Sequence, residues 1–503
     1  MPALNEFRLK SFIDNLSENE LLRVAAPTAL TDVAAIVDAT SKAVILESVG
    51  PEGAKLAANV AGSRARLATA FETDVNDLLP QVLKRLAAPG KVTEISRREA
   101  PVQQVVQTGD DINLFKLPVH LQHSLDGGLF ISSAMDVSVD ESNGWSNIGM
   151  RRLMLHSPNQ TGIGLFSPSD LKRIYEKSAL MNRHLPIAFV VGSHPIDHVA
   201  ATMRTPGDEL ELLASLRGQA APVVKCISND VRIPADAEYV IEGYLDSAGH
   251  KYPEGPFGEF LGYYGGVKLN PRFQVTAITR REDAVFQTST IAGANMANTD
   301  TAQLNSLRTE VVLWNALQHA VRGVVAVHAT GASGGMFNVR IALRQFAQGE
   351  ARNAIATAFG CLVNVKHVFV VDDDIDIYSH EQMDWALATR FQADRDLVIQ
   401  SGFRAIPLDP SLDGSRTGAK AGFDLTKSGL HRGSVESVVP ATPNYDHPRF
   451  SSISAALQDG EKTFEQLVGA IGSRDGREIV AELYALQQVG KASLAENGKW
   501  KHV

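Results

Sequence analysis

The stretch KYPEGPFGEFLGYYGG, Lys251 to Gly266, decides how this chain is read. It holds two glutamates, five glycines, two prolines and five aromatic rings in sixteen residues. An exposed loop has no need of Tyr252, Phe257, Phe260, Tyr263 and Tyr264 together. A core strand excludes Pro253, Pro256 and free carboxylates. Gly255 and Gly258 let the backbone turn and approach a ligand closely, and the prolines remove freedom. The stretch therefore reads as a stiff loop that presents Glu254 and Glu259 among aromatic rings. Two carboxylates about 5 Å apart repel by about 3 kcal/mol at an effective dielectric near 20. That repulsion favours one of them holding a proton, which suits it to general-acid chemistry. The plainer alternative is a glycine turn carrying two solvated carboxylates.

Working outward, GWSNIGMRRLMLH (144–156) reads as a strand in which Arg151 and Arg152 face opposite sides. A buried arginine needs an anion, either a glutamate or a substrate carboxylate. The middle third is strand-rich: LFISSAMDVSVD, TGIGLF, IAFVVGSHP, AEYVIEGYLD and FQVTAITRREDAVFQTST are β-branched runs between turn signals. Two helices interrupt it, SPSDLKRIYEKSALM, capped by Ser167 or Ser169, and ELELLASLRG. Many strands with few helices predict a barrel or sandwich. Residues 1–115 read as a small α/β unit, and residues 5–24 carry helical spacing. From about residue 300 the pattern returns to α/β, with amphipathic helices and the buried strands VVAVHAT and VKHVFVVDDDI. After residue 435 the chain is polar, with a linker-like ATPNYDHPRF and a short charged helical segment.

The chain has 503 residues, 44% hydrophobic and 21% charged, which is ordinary for a soluble protein of two to four domains. A net charge of −9 argues against a nucleic-acid-binding surface. Cys226 and Cys361 stand far apart, so neither a disulfide scaffold nor a cysteine zinc site is expected. A reducing cytoplasm fits, with no signal peptide and no apolar run long enough to span a membrane. Three further features read as structural. Asp372, Asp373 and Asp374 suit caps at a strand end, His328 suits a strand terminus, and GASGG (331–335) is a bare turn.

Five ordered blocks carry a resemblance: SNIGMRR, VVKCISNDVRIPADAEYVIEGY, PEGPFGEFLGYY, VTAITRREDAVFQTST and VFVVDDDID. Together they resemble the UbiD-like decarboxylases, across most of residues 100–430. The resemblance implies an α/β (α+β overall) chain. Its parts would be an N-terminal α/β unit (1–115), a flavin-binding split β-barrel (116–300) and a C-terminal α/β domain (301–503) that assembles a homodimer or larger homo-oligomer. It implies prenylated FMN, supplied by a flavin prenyltransferase and held with manganese or magnesium, often joined by potassium. The activity implied is reversible, non-oxidative decarboxylation through a covalent bond between substrate and cofactor. Arg152 would orient the substrate carboxylate, Glu254 would hold that arginine, and Glu259 would protonate the carbon.

The resemblance assigns Asn147 and Glu209 to the metal. It assigns Asn147, Met150, Arg151, Arg152, Gly164, Leu165, Phe166 and Lys366 to the cofactor. One departure stands out. The family often has a histidine as a third metal ligand where this chain has Pro168. Either phosphate and water complete the metal shell, or Ser167 or Asp170 substitutes. The segment IAGANMANTDTAQL, with Asn295 and Asn298, should border the substrate, with LDGSRTGAK (412–420) as the other wall. Polar walls suit a pyrrole-, indole- or furan-carboxylate. Cinnamate-like or hydroxybenzoate acids are the alternative. An ordinary FMN oxidoreductase is a further alternative, against which stands the lack of a GxGxxG fingerprint after a strand.

Overall fold

The computed structural model describes residues 4–361, 364–427 and 441–503. Its centre is an antiparallel barrel. Leu185–Val191, Phe130–Asp140, Trp145–Ser157, Gln160–Ile163 and Arg272–Arg280 lie side by side in that order. Tyr239–Leu245 pairs with both Arg272–Arg280 and Leu185–Val191, which closes the ring at six strands. Closure brings backbones together at a bulge between Glu242 and Gly243. A Cβ on Gly243 would lie 1.9 Å from the Gln274 carbonyl oxygen, so only glycine fits there.

The strand Leu185–Val191 explains why its sequence is apolar without alternation. Ile187, Phe189 and Val191 pack into one core with Ile131, Leu153, Ile241 and Phe273. Ala188 and Val190 pack into a second core with Met135, Val137 and Ile148. That second core is covered by the helices Pro195–Thr202 and Glu209–Arg217 through Ile196, Val199, Leu210 and Leu213. A strand buried on both faces loses the period of two.

Strand pairings join residues on either side of the segment limits expected at 115 and 300. Val105–Thr108 adds to the barrel strand Arg272–Arg280. Val285–Thr288 leaves the barrel and pairs with Ala54–Ala58 in the N-terminal sheet, beside Ala43–Val49 and Leu21–Val24. Periodicity identifies a strand but not its partner. The expected helix over 5–24 is shorter, Leu9–Asp14, followed by the strand Leu21–Val24. Beyond the helix Asp300–Gln318 lies a five-stranded mixed sheet, ordered Val324–Ala329, Asn338–Leu343, His367–Asp372, Thr417–Asp424, Leu397–Arg404.

The C-terminal stretch is more structured than its polarity implied. After an extended, mostly exposed 441–450, three helices follow: Ile453–Gln458, Phe464–Ile471 and Arg477–Gln488. A hairpin, Ala492–Leu494 with Trp500–His502, completes the module. Ile453, Leu457, Leu467, Ile479, Leu483 and Ala492 form its own core. The local signals are present in the sequence, since Thr463 and Gln466 make a reciprocal capping box and Gly472 ends the second helix in the left-handed region. Among the described residues no helix is long and apolar enough to cross a membrane.

Two histidines four residues apart, His194 and His198, lie fully buried beneath this barrel wall. His194 Nδ1 accepts from the Ile196 amide at 3.3 Å and caps the helix Pro195–Thr202, so that nitrogen must be unprotonated. His198 has no hydrogen-bond partner at either ring nitrogen. Burial pushes His194 to about 3, helped by the charge of Arg217, and burial pushes His198 to about 4. Both are therefore neutral in the folded protein over a range where the unfolded chain, titrating at 6.5, is charged. Their contribution is complete above that value and is lost as pH falls toward 4, at about 1.4 kcal/mol per pH unit for each. His198→Leu deletes one such group without deleting a hydrogen bond. Urea unfolding at pH 7 and pH 5 should show the variant losing roughly 2 kcal/mol less than the parent on acidification. An equal loss would contradict a buried neutral His198.

Candidate active site

Arg152 projects from the long barrel strand Trp145–Ser157. Glu254 ends the short strand Tyr252–Glu254, which pairs with Lys268–Asn270. Glu259 follows Phe257–Gly258, which pairs with Tyr264–Gly265. The three meet. Arg152 Nε donates to Glu254 Oε1 at 2.7 Å and Nη2 donates to Glu254 Oε2 at 3.2 Å. Arg152 Nη1 donates to Glu259 Oε1. The guanidinium carbon also sits 4.6 Å from the centre of the Phe257 ring. Glu254 is wholly buried and Glu259 nearly so, while 15% of the Arg152 side chain remains accessible. Burial opposes the charge on Arg152, but the hydrogen bond to Glu254 and the charges of both carboxylates outweigh it and hold its pKa above the ordinary value. The guanidinium thus offsets the repulsion expected between the two glutamates.

The loop around them is held from three directions. Asn270, fully buried, donates from Nδ2 to Glu254 Oε2 at 3.2 Å and accepts the Leu165 amide at 3.2 Å. Asp126 Oδ1 accepts the Gly258 amide at 2.8 Å, and its Oδ2 accepts the His123 amide at 3.0 Å. The Gly127 amide donates to the Pro256 carbonyl at 2.8 Å. Gly255 has φ +98°, and the bond between it and Pro256 is cis. None of Asn270, Asp126 or His123 stood out in the sequence. Asn270 precedes a proline and reads as a turn residue, and DGG at 126–128 reads as any loop.

Asn147 and Glu209 also meet, as expected. Asn147 Nδ2 donates to Glu209 Oε2 at 2.7 Å, and the Ile148 amide donates to the same oxygen at 2.6 Å. Burial pushes Glu209 up to about 7 against those two hydrogen bonds. Asn147 Oδ1 is buried without a hydrogen-bond partner. That leaves an amide oxygen and a carboxylate side by side, a donor set that suits a hard divalent cation completed by phosphate and water. Pro168 offers no ligand. Asp170 is engaged by Arg204 at 2.9 Å, and Ser169 Oγ caps the helix Asp170–Leu180. Among the described residues no three His, Cys, Asp or Glu side chains converge as a metal cluster. Arg151 turns away from Arg152, donating to the Met150 carbonyl at 2.8 Å and to Ser169 Oγ at 3.2 Å, beside the buried Asp136. The Gly164 amide donates to the Arg152 carbonyl, Leu165 is buried, and Phe166 is partly exposed beneath the ammonium of Lys268.

The remaining expected residues line two cavities. Lys366 binds Asp409 at 2.8 Å and Ser411 Oγ at 2.6 Å, in a cavity of about 240 Å³ within the C-terminal sheet. Leu412, Gly418, Ala419 and Lys420 line that cavity, so 412–420 does not share a wall with Asn298. Asn295 spends its amide on the Asp38 and Thr40 carbonyls and ties two loops together. Asn295 and Asn298 both line a second cavity, of about 370 Å³, with His120, His123, Tyr264 and Thr290. Asp373 and Asp374 pair with Arg344 and Arg390, His328 pairs with Glu310, and Gly331–Ser333 is a tight turn.

The site is thus a guanidinium clamped by two buried carboxylates at the wall of a closed barrel. Comparison with known proteins gives the family. Profiles of the 3-octaprenyl-4-hydroxybenzoate carboxy-lyase N-terminal domain, Rift-related domain and C-terminal domain match residues 16–86, 93–295 and 302–425. The chain belongs to the UbiD family of decarboxylases. It is 28% identical to an anhydromevalonate phosphate decarboxylase of Methanosarcina mazei, over 86% of this chain and 98% of the relative. It is 29% identical to a phenolic acid decarboxylase of Streptomyces, over 90% of this chain and 98% of the relative. Among solved structures, the UbiD-class enzyme HmfF from Pelotomaculum thermopropionicum, in complex with FMN, superposes with TM-score 0.78 at 31% identity, covering 89% of this chain and 98% of that one. Vanillic acid decarboxylase of Sedimentibacter hydroxybenzoicus superposes with TM-score 0.76 at 27% identity, covering 95% and 99%.

The loop offers a paired test of its own rigidity. A Cβ on Gly258 would lie 2.5 Å from His123 Nδ1 and 2.8 Å from its Cγ, whereas one on Gly266 would meet nothing within 4 Å. Gly258→Ala must displace the His123 ring and strain the Asp126 anchor, costing about 1–3 kcal/mol in urea unfolding. Gly266→Ala should leave the midpoint within about 0.5 kcal/mol of the parent. Equal effects would show that His123 does not press on the loop.

Proposed function

We propose that this chain catalyses non-oxidative decarboxylation of an aromatic or heteroaromatic acid, using prenylated FMN. The observation that supports it most is the single guanidinium shared between Glu254 and Glu259. When bound, the prenylated flavin supplies an electron sink for the carbon that loses CO₂, which no side chain provides. The Asn147–Glu209 pair would hold manganese or magnesium against the cofactor phosphate, and Arg151, Met150 and Gly164–Phe166 would flank it.

The roles of the three central side chains follow from which atoms are engaged. Arg152 uses three of its five N–H groups on the glutamates. One N–H on each Nη is left, a fork matched to the two oxygens of a substrate carboxylate. Glu254 accepts at both oxygens, from Arg152 and from Asn270, and so acts as a fixed anion that orients the guanidinium. Glu259 engages Arg152 through Oε1 only, among the described residues, and Oε2 is the atom assigned to carry a proton to the substrate carbon. The ring of Phe257 and the buried loop keep water from that carbon.

The polar wall at Asn298, Thr290 and Tyr264 favours a pyrrole-, indole- or furan-carboxylate, with hydroxybenzoates as the second class. Phenolic acids have precedent in the names of relatives, though each name belongs to its own protein. A homo-oligomer, a flavin prenyltransferase as cofactor supplier and a cytoplasmic site complete the proposal.

Co-expression with a flavin prenyltransferase, then mass spectrometry of the bound flavin and CO₂ release from a panel of such acids, tests it. The expected outcome is a prenylated flavin and turnover of at least one acid. Glu259→Gln should keep the flavin and lose at least about 100-fold in rate. Unmodified FMN reduced by NAD(P)H, with no CO₂ from any acid, would replace this proposal with an oxidoreductase.

A further inference from the structure

His120 is a polar side chain with nothing to bind. It is 5% exposed, and neither ring nitrogen has a hydrogen-bond partner among the described residues. Burial pushes its imidazole down to about 4, with the nearby His123 adding to the effect, so the ring is neutral at physiological pH. A neutral imidazole has one donor and one acceptor, and with no described partner these are left to whatever occupies the cavity, water or a ligand.

The setting says which ligand. His120 lines the cavity of about 370 Å³ together with Asn59, His123, Tyr264, Thr288 and Asn298. Arg152, Glu254, Phe257 and Glu259 do not line this cavity, and its wall is joined to their cluster through His123 and Tyr264. The His123 ring lies edge-on to Phe257, 5.8 Å between centres, and Phe257 carries the Arg152 guanidinium on its own face at 4.6 Å. Tyr264 comes from the same loop as Glu259, and the neighbouring Gly265 packs against the Glu259 carboxylate. His123 is engaged at one nitrogen, where Nδ1 meets Asp126 at 3.1 Å. Gln122 is committed at its nitrogen, while its Oε1 is buried with no partner among the described residues. Ser132 Oγ donates to the Ser289 carbonyl, so it can only accept from Gln122 Nε2, which fixes the amide with its nitrogen turned to that network. Among these three, His120 has neither ring nitrogen engaged by a described residue, while Gln122 keeps one acceptor, Oε1, and His123 keeps Nε2.

We infer that His120 is a specificity-determining residue, which hydrogen-bonds an O–H or N–H on the ring of the acid whose carboxylate Arg152 holds. The inference rests on the proposed decarboxylase reading for the placement of the carboxylate. The cavity's preference for such rings can be measured without turnover.

Two pairs of acids differ in that one donor: 4-hydroxybenzoate against benzoate, and pyrrole-2-carboxylate against furan-2-carboxylate. Dissociation constants are measured by calorimetry on the flavin-loaded protein in a Glu259→Gln background, where no acid is consumed. The donor-bearing acid of at least one pair should bind more tightly, by about tenfold or more. His120→Phe should erase that preference while leaving the other member's constant and the unfolding midpoint unchanged. His120→Asn, which keeps hydrogen-bonding atoms, should restore part of it. No preference in either pair, or a preference that survives His120→Phe, overturns the inference. Should the preference depend on His120 while the parent releases CO₂ from none of the four acids or of the wider panel, the decarboxylase reading fails and the recognition stands. Should CO₂ be released with no dependence on His120, the reverse holds.

Discussion

Arg152 sits in a dry place with two carboxylates and a ring face for company, and the surrounding architecture serves that arrangement. A buried charge is costly unless its partner is close and its remaining lone pairs are satisfied. Here the cost is met on all sides. Glu254 takes two N–H groups of Arg152 and one of Asn270, Glu259 takes a third from Arg152, and Phe257 covers the cation's face. Removing any one partner would strand a charge, so the cluster tolerates little movement. It therefore demands that the elements bearing its members be held to fractions of an ångström.

Those elements come from distant parts of the chain. The arginine rides on a thirteen-residue barrel strand, while the glutamates ride on a loop with only short strands of its own. Such a loop would wander if its glycines were its only guide. The Asp126 carboxylate and the Gly127 amide pin its middle, and Asn270 pins its start to the Leu165 backbone. Asn270 consequently couples two functions, since Gly164–Phe166 is the segment proposed to flank the cofactor. A shift of that segment would be felt at Glu254 through a single amide side chain.

How much of this was legible in the sequence follows the range of the contacts. The quoted loop and the opposite-facing arginines were readable, because residue type and strand parity carry them, whereas the Asn147–Glu209 pair came from the family resemblance alone. Asn270 and Asp126 were not, because their partners lie 16 and 132 positions away. Lys366 and 412–420 were expected at the barrel site, yet the pairing of Leu397–Arg404 with Thr417–Asp424 folds them around a cavity of their own. His120 escaped notice for a different reason: what marks it is the absence of a partner, which only a packed structure reveals. The C-terminal module was under-read because its polarity hid a periodic core that the Thr463 cap announces.

The strand Trp145–Ser157 shows why register matters more here than in an ordinary barrel wall. Asn147 and Arg151 share one face, Ile148, Met150 and Arg152 the other, because successive side chains alternate. One face offers Asn147 to Glu209, where a cation is proposed, and the other offers Arg152 to Glu254, where the substrate carboxylate is proposed. A slip of one residue would exchange the two faces and destroy both at once. The pairing opposes this along its length: Asn147 lies opposite Ser138, Gly149 opposite Asp136 and Met150 opposite Met135, without interruption from Ala134 to Asp140. The one irregularity falls between Ile131 and Ala134, beyond the functional stretch. A strand that offers Asn147 from one face and Arg152 from the other thus ties the proposed cofactor anchoring to the proposed substrate orientation by geometry alone.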